Sequence, residues 1–184
     1  MQDWVIDNKN SIKAFNAIKD SHLPKLIKGK IINIELSNNE VLAMLDLYSG
    51  IDAIRKDDTG IQGIAWRAQF QNRKWNTFTI RAERETGTAT EYQKRIEAID
   101  KGYFYPAYTV QAYFDNIENL NLLSMAIVKT KDLYELFDNN KDLFNTRKSN
   151  NVFYFIEWRR IPSNIIRVWQ NDDENNLFNN LLAQ

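Results

Sequence analysis

The stretch SGIDAIRKDDTGIQGIAWRAQ (residues 49–69) decides how the rest of the chain is interpreted. Asp52 stands in an apolar run, the segment KDDTG follows, and a second apolar run ends in Arg67, Ala68 and Gln69. A turn rich in Asp and Gly between two runs of β-forming residues predicts a β-hairpin. An acid flanked by apolar residues on such a strand needs a polar partner or a metal ion, because burying an unpaired charge is costly.

The composition limits the chemistry that this chain can perform. With 184 residues it has the length of a single domain, 1–184, which would bury roughly 70% of its unfolded surface. The absence of cysteine excludes a disulfide scaffold, a thiolate zinc site and a cysteine nucleophile, and the single histidine argues against a histidine-based site. Any metal ion would therefore be held by oxygen ligands, which suits Mg²⁺ or Mn²⁺.

Charge and hydropathy bear on partners and location. The 24 basic and 24 acidic residues balance, so a surface for nucleic acid has to be local. The N-terminal segment MQDWVIDNKN lacks the cationic start and apolar core of a signal peptide, and no apolar run approaches 18 residues. We therefore expect a cytoplasmic protein without a membrane span.

Apolar periodicity predicts the order of the secondary-structure elements. Thr88 and Glu91 have the spacing of a capping box at the start of the second helix. Three or four consecutive strands, then a helix and a returning strand, predict an α/β fold in which helices flank a mixed sheet. We predict helices at residues 9–20, 85–100, 130–140 and 171–184, and strands at 30–37, 40–54, 61–70, 77–84, 103–114, 121–128, 152–161 and 165–170.

The order helix–strand–strand–strand–helix–strand over about residues 10–115, with Asp52 in the second strand, resembles the PD-(D/E)XK nuclease superfamily. Its Holliday-junction-resolvase-like enzymes are the most similar members. The resemblance is carried by SGIDAI (49–54), the KDDTG turn, the strand GIAWRAQF (63–70) and the helix that contains Glu91. It implies a restriction-endonuclease-like mixed sheet with C-terminal strand and helix additions, and metal-dependent cleavage of DNA. It also implies DNA as partner, allows a homodimer, and would suit a phage or mobile element.

The second motif departs from the pattern of this superfamily. The family's following strand reads I-E-x-K, whereas IAWR (64–67) has alanine in place of the acid and arginine in place of the lysine. In the family, two carboxylates hold the metal ion that activates water, and the lysine stabilises charge on the phosphate. Arginine can stabilise that charge, but it stays protonated and cannot act as a base. The resemblance therefore implies the fold more strongly than an intact active site.

Acids and bases elsewhere in the chain are candidates to complete the site. Glu91 lies on the helix to which the acid can migrate in the family, and Lys94 lies three residues later on the same helix face. Asp46 would share a strand face with Asp52 but lie about 20 Å from it unless the strand bends. The expected metal ligands are Asp52, Glu91 and Asp46. The expected catalytic residues are Asp52, Glu91, Lys94, Arg67 and Gln69, the last orienting phosphate or water.

Each of these residues also has a structural interpretation. Glu91 completes the predicted capping box, Lys94 can lie on a solvated helix face, and Asp52 can cap the turn. Arg67 and Gln69 share a strand face and can form an exposed polar stripe. The sequence leaves three functions open: a metal-dependent nuclease, a catalytically inactive nuclease-like fold that binds DNA or protein, and a structural protein.

Overall fold

A computed structural model describes residues 2–35, 39–70 and 75–170. Its strands form two sheets, and helices pack on both faces of the larger sheet, which confirms the predicted α/β fold with a mixed sheet flanked by helices. The strands are β1 (Lys30–Asn33), β2 (Ala53–Asp57), β3 (Gly60–Phe70), β4 (Thr77–Glu83), β5 (Pro106–Phe114), β6 (Leu122–Lys129), β7 (Asn145–Lys148), β8 (Val152–Glu157) and β9 (Ile166–Gln170). The helices are α1 (Gln2–Ile18), α2 (Leu23–Leu26), α3 (Glu40–Ser49), α4 (Glu91–Asp100) and α5 (Thr130–Asn139).

The larger sheet has six strands in the order β1-β2-β3-β5-β6-β9. Its neighbours are antiparallel except for β3 and β5, which run parallel with Arg67 opposite Gln111. A parallel pair needs a connection that returns the chain to the end at which the first strand began. In this protein β4 and α4 lie in that connection.

The predicted hairpin is present between β2 and β3. The Asp57 carboxylate accepts hydrogen bonds from the N–H and the hydroxyl of Thr59, at 2.9 and 2.6 Å. Gly60 follows with a φ of +133°, a conformation that favours glycine. The KDDTG segment thus turns the chain through local side-chain chemistry.

Alternation along β3 divides its side chains between the two faces of the sheet. On one face Trp66 packs against α1, where its ring centroid lies 5.1 Å from that of Phe15. Ala65 and Arg67 lie on the other face, toward the smaller sheet. On that second face, the Tyr113 ring of β5 packs beside Trp158, which belongs to the second hydrophobic core.

The smaller sheet has the antiparallel order β4-β8-β7. The meander of the larger sheet therefore ends after three strands, and β4 is not a ladder neighbour of β3. Phe78 and Ile80 of β4 are buried against β5, β6 and α5. Their burial explains why β4 starts a second layer instead of extending the first sheet.

Residues 40–54 do not form the predicted long strand, and that prediction is wrong. They contain α3 and the start of β2, and Gly50 ends the helix with a φ of +62°. An apolar run does not by itself distinguish a helix from a strand, and the Leu, Ala and Met residues of this run favour a helix. Asp46 lies on α3 and Asp52 follows it, so the two acids do not share a strand face. The Asp46 side chain lies outside the part of the chain that is described.

The capping box of α4 differs from the predicted one. Thr90 and Gln93 form it: the Gln93 N–H donates to the Thr90 hydroxyl at 3.3 Å, and the Thr90 N–H donates to Gln93 Oε1 at 2.8 Å. Glutamine serves at this position as glutamate does. The prediction of a box built from Thr88 and Glu91 was therefore wrong, and the Glu91 side chain is not needed for the cap.

Toward the C-terminus β8 is shorter than predicted, because a 3-10 turn begins at Trp158. The strand at residues 166–170 is confirmed as β9. The closing helix predicted at 171–184 lies outside the described residues. Within the described ranges, no helix has the length and apolar character needed to cross a membrane.

Tyr113 joins the two sheets through one hydroxyl group. Its side chain is 0% exposed, and its hydroxyl lies 3.1 Å from both the backbone N–H and the carbonyl oxygen of Thr77, and 2.9 Å from the Thr77 Oγ1. Thr77 is the first residue of β4 and is also buried. The Tyr113 hydroxyl therefore satisfies buried polar groups at the point where the second sheet begins.

We expect Tyr113→Phe to lower the free energy of unfolding by about 1–3 kcal/mol, because it leaves buried polar groups of Thr77 without this partner. Urea denaturation followed by circular dichroism measures the change. Tyr108→Phe on the same strand is the matched control, since the partly buried Tyr108 hydroxyl accepts one 3.3 Å hydrogen bond from Arg55. Equal losses for the two variants would contradict the role of Tyr113.

Candidate functional site

A cavity of about 300 Å³ lies where β3 and β5 of the larger sheet, β4 of the smaller sheet and α4 meet, and we call it the site cavity. Four of the five predicted catalytic residues line it, namely Asp52, Arg67, Glu91 and Lys94. The fold brings them together from the segment before β2, from β3 and from the first turn of α4. Gln69 instead lines a neighbouring groove that shares Arg67 with the site cavity.

Asp52 is fixed against β3 by both its backbone and its side chain. Its N–H donates to the carbonyl oxygen of Ile64 at 2.9 Å, and its Oδ2 accepts a hydrogen bond from the Trp66 N–H at 2.5 Å. The carboxylate is partly buried and lines the site cavity. Its position before β2 thus depends on the pairing of β2 with β3.

The loop that carries Asp52 is held from the other side by α4. Arg95 donates from Nη2 to the Gly50 carbonyl oxygen at 3.0 Å, and Lys94 donates from Nζ to the Leu47 carbonyl oxygen at 2.7 Å. A Cβ at Gly50 would lie 3.3 Å from the Arg95 guanidinium, so glycine permits both the positive φ and this close approach. This face of α4 is therefore partly buried and positions the loop, unlike a fully solvated helix face.

Glu91 lies among arginines. Its Oε1 accepts a hydrogen bond from Arg84 and lies 4.0 Å from Nη1 of Arg81. Burial opposes ionisation, but its own backbone N–H and the charges of Arg81, Arg84 and Arg67 outweigh burial and lower the pKa of Glu91. The Oε2 atom of Glu91 is buried and has no hydrogen-bond partner among the described residues.

Positive charge predominates in the site cavity. Burial lowers the pKa of Arg67, and the nearby charges of Arg81 and Arg95 lower it further, while Glu91 and Asp52 oppose this effect. An arginine nevertheless stays protonated at neutral pH. The cavity is lined by four basic side chains, Arg67, Arg81, Lys94 and Arg95, and by two acidic ones, Asp52 and Glu91.

Three buried donors that line the site cavity have no hydrogen-bond partner in the described part of the chain. They are the Nε atoms of Arg81 and Arg95 and the Nε2 atom of Gln111. Leaving such groups unpaired costs free energy in the absence of a ligand. A group with several anionic oxygens, such as a phosphate, would offset the repulsion among the cations of the cavity.

Gln111 lines the site cavity but was not among the residues predicted from the sequence. It lies directly opposite Arg67 on β5 and is 2% exposed. The signal was present, because a glutamine interrupts the apolar strand YTVQAYF (108–114) and a buried amide needs partners. The sequence could not show that Gln111 and Arg67 are neighbours, because that depends on the register of the parallel pair.

Comparison of the chain with protein-family models, with curated proteins and with solved structures found no match. Among the residues that the structure describes, no group of three or more His, Cys, Asp and Glu side chains is placed to hold a metal ion. The chemistry of the site cavity itself therefore carries the functional proposal.

We expect Glu91→Gln to destabilise the protein at neutral pH, because Arg67, Arg81 and Arg84 lose a compensating charge. The pKa of Glu91 is lowered in the folded state, so wild type is favoured over the variant above the ordinary carboxyl pKa of about 4.3. This advantage is lost as the pH falls through the lowered folded-state pKa. Urea denaturation across this pH range measures it.

The control for this experiment is Glu97→Gln, which changes an exposed acid on the same helix that pairs with Lys101. A surface pair of this kind contributes little to stability. A stability difference for Glu91→Gln that does not change with pH would show that the arginines do not act on its charge.

Proposed function

We propose that this protein is a nuclease-like DNA-processing protein that binds a DNA phosphate in the site cavity and cleaves the phosphodiester bond with a divalent metal ion. The observation that carries the proposal is the convergence of Asp52, Arg67 and Glu91 on one cavity. These residues are separated in the sequence, and each was predicted from it as a catalytic residue of a metal-dependent nuclease. Their meeting point also has the excess of positive charge that a phosphate requires.

The topology supports the same proposal. When α2, the ten-residue α3 and β4 are left aside, the order α1, β1, β2, β3, α4, β5 follows the helix–strand–strand–strand–helix–strand order implied by the resemblance to PD-(D/E)XK nucleases. Asp52 directly precedes β2, and Ala65 and Arg67 face the cavity from β3. Relative to that order, β4 is an added strand that pairs with β8 in the second sheet.

The proposed metal ion would be held by two carboxylates and would keep other ligands. Glu91 Oε2 is a buried oxygen without a hydrogen-bond partner in the described residues, and it belongs to the same cavity as Asp52. Mg²⁺ is often bound by one or two carboxylates, with water and substrate phosphate as its remaining ligands. Asp52 and Glu91 would hold Mg²⁺ or Mn²⁺, which when bound supplies a more acidic water and a polarised phosphate.

The remaining residues of the cavity act on the phosphate and on the loop. Arg67 and Gln111, side by side on β3 and β5, donate to phosphate oxygens and stabilise negative charge that develops there. Arg67 cannot accept a proton from water, so it orients and stabilises the phosphate. Lys94 holds the last turn of α3 and Arg95 holds Gly50, and these two contacts position the loop that carries Asp52.

A second candidate function is DNA binding without catalysis, by a nuclease-like fold that has lost its chemistry. The observation that favours it is the replacement of the family's acid by Ala65 together with the engagement of Glu91 by Arg84 and Arg81. With four basic and two acidic side chains, the cavity attracts a phosphate even without a metal ion. The two functions share phosphate binding and differ in cleavage.

Cleavage is tested with labelled single-stranded, duplex and branched DNA in the presence of Mn²⁺. We expect Asp52→Asn to reduce cleavage by about 100-fold or more, because it removes a charge that would hold the metal ion. The asparagine oxygen can still accept the hydrogen bond from Trp66, so the loop keeps its position. The control is Asp58→Asn in the exposed β2–β3 turn, for which we expect no change.

The outcome separates the two functions. Absence of cleavage by the wild-type protein on every DNA would overturn the nuclease proposal and leave the binding function. Cleavage that is equal in wild type and Asp52→Asn would place the chemistry outside the site cavity.

Phosphate binding is tested without metal by fluorescence anisotropy of labelled DNA at several salt concentrations. We expect Arg67→Gln to weaken binding and to reduce the slope of log K against log salt by about 1, the change for one lost phosphate contact. Lys131→Gln, at an exposed site on α5, is the matched control and should leave the slope unchanged. An unchanged slope for Arg67→Gln would remove the site cavity as the phosphate site.

A further inference from the structure

A second groove, of about 630 Å³, adjoins the site cavity near the end of β3. We call it the aromatic groove, because Trp75, Phe153 and Phe155 line it together with Gln69, Arg67 and Arg147. Trp75 is 55% exposed, and the two phenylalanines are partly exposed. Three aromatic rings that line one surface groove need an explanation, because most rings of this protein are in its two cores.

The register of the smaller sheet explains how these rings come to the surface. Phe78 of β4 lies opposite Ile156 of β8, and this pair faces the core. The next pair, Thr79 and Phe155, therefore faces the opposite side. Phe153 continues that open side two residues along β8 from Phe155.

Basic residues flank the exposed rings on the same sheet. Phe153 lies between Arg81 of β4 and Arg147 of β7, its direct neighbours in the two strand pairs. The Arg81 guanidinium lies 5.2 Å from the Phe153 ring centroid. In the described residues, no acidic side chain lines the aromatic groove.

The two cavities are adjacent. Arg67 and Thr79 line both of them, and Arg81 lines the site cavity while its guanidinium lies on Phe153. A single strand of DNA with one phosphate at Arg67 would therefore have its neighbouring nucleotides beside the aromatic rings of the groove.

We propose that the aromatic groove is a stacking platform for the unpaired bases of single-stranded DNA whose backbone enters the site cavity. The inference rests on the proposed function and names its substrate class. Aromatic rings combined with arginines and no acids match a strand that has both flat bases and a negative backbone. Duplex DNA presents its backbone and groove edges but keeps its base faces stacked, so the rings would contribute nothing to its binding.

The test separates bases from phosphates. Anisotropy measurements in EDTA compare labelled oligo-dT, an oligonucleotide of equal length with abasic sugars, and a duplex. We expect oligo-dT to bind about tenfold or more tighter than the abasic strand, because stacking on an aromatic side chain contributes to each base that is bound. The abasic strand keeps the phosphates and so reports phosphate binding alone.

Substitutions in the aromatic groove then test whether its rings cause the preference for oligo-dT over the abasic strand. Trp75→Ala and Phe155→Leu should each reduce the ratio of oligo-dT to abasic affinity, and Phe155→Tyr, which keeps a ring, should preserve it. Trp75 is half-exposed, so its removal leaves the core intact. Tyr103→Ala is the control, because this exposed ring precedes β5 and lies at the end of the larger sheet opposite Gln69.

The results distinguish failure of the inference from failure of the proposed function. Equal affinity for the oligo-dT and abasic strands, or equally tight binding of the duplex, would overturn the stacking platform while phosphate binding stands. Binding of neither strand would overturn both. A preference for oligo-dT that survives in both Trp75→Ala and Phe155→Leu would also remove the groove as its cause.

Discussion

β3 and β5 run parallel, so the chain has to return from one end of the larger sheet to the other before β5 can begin. That return contains β4 and α4, and it places both elements over the face of β3 that carries Arg67. Glu91 reaches the site cavity for this reason. The Tyr113 hydroxyl then fixes the start of β4 against β5. The same contacts that hold the two sheets together therefore also position the walls of the cavity.

The charges of the site cavity have opposite effects on stability and on binding. Arg67, Arg81 and Arg95 repel one another in a partly buried space, and Glu91 and Asp52 compensate only in part. Buried donors without partners add to the cost. The proposed phosphate would offset the repulsion among the cations, and its binding would then stabilise the folded protein. Like charges that are partly buried in a cleft are typical of functional sites, and they lower the stability of the protein without its ligand.

The second sheet has two faces with different roles. Its inward face supplies Phe78 and Ile156 to a core, while its outward face carries Phe153 and Phe155. Because strand geometry alternates strictly, the same two strands build both the packing layer and the aromatic groove. The aromatic groove and the site cavity share Arg67 and Thr79 in their linings, so the proposed base stacking and the proposed phosphate binding would take place at adjacent sites.

The sequence by itself determined the elements whose signals are local. The Asp57–Gly60 turn follows from side-chain chemistry over four residues, and strand alternation places Trp66 and Arg67 on opposite faces of β3. Residues 40–49 were assigned to a strand because the periodicity of an apolar run does not distinguish a helix from a strand, although their Leu, Ala and Met residues favour the helix that forms. Only the tertiary structure decided that Glu91 and Gln111 lie beside Arg67. That placement depends on the parallel crossover and its register, which are set by contacts between residues far apart in the chain.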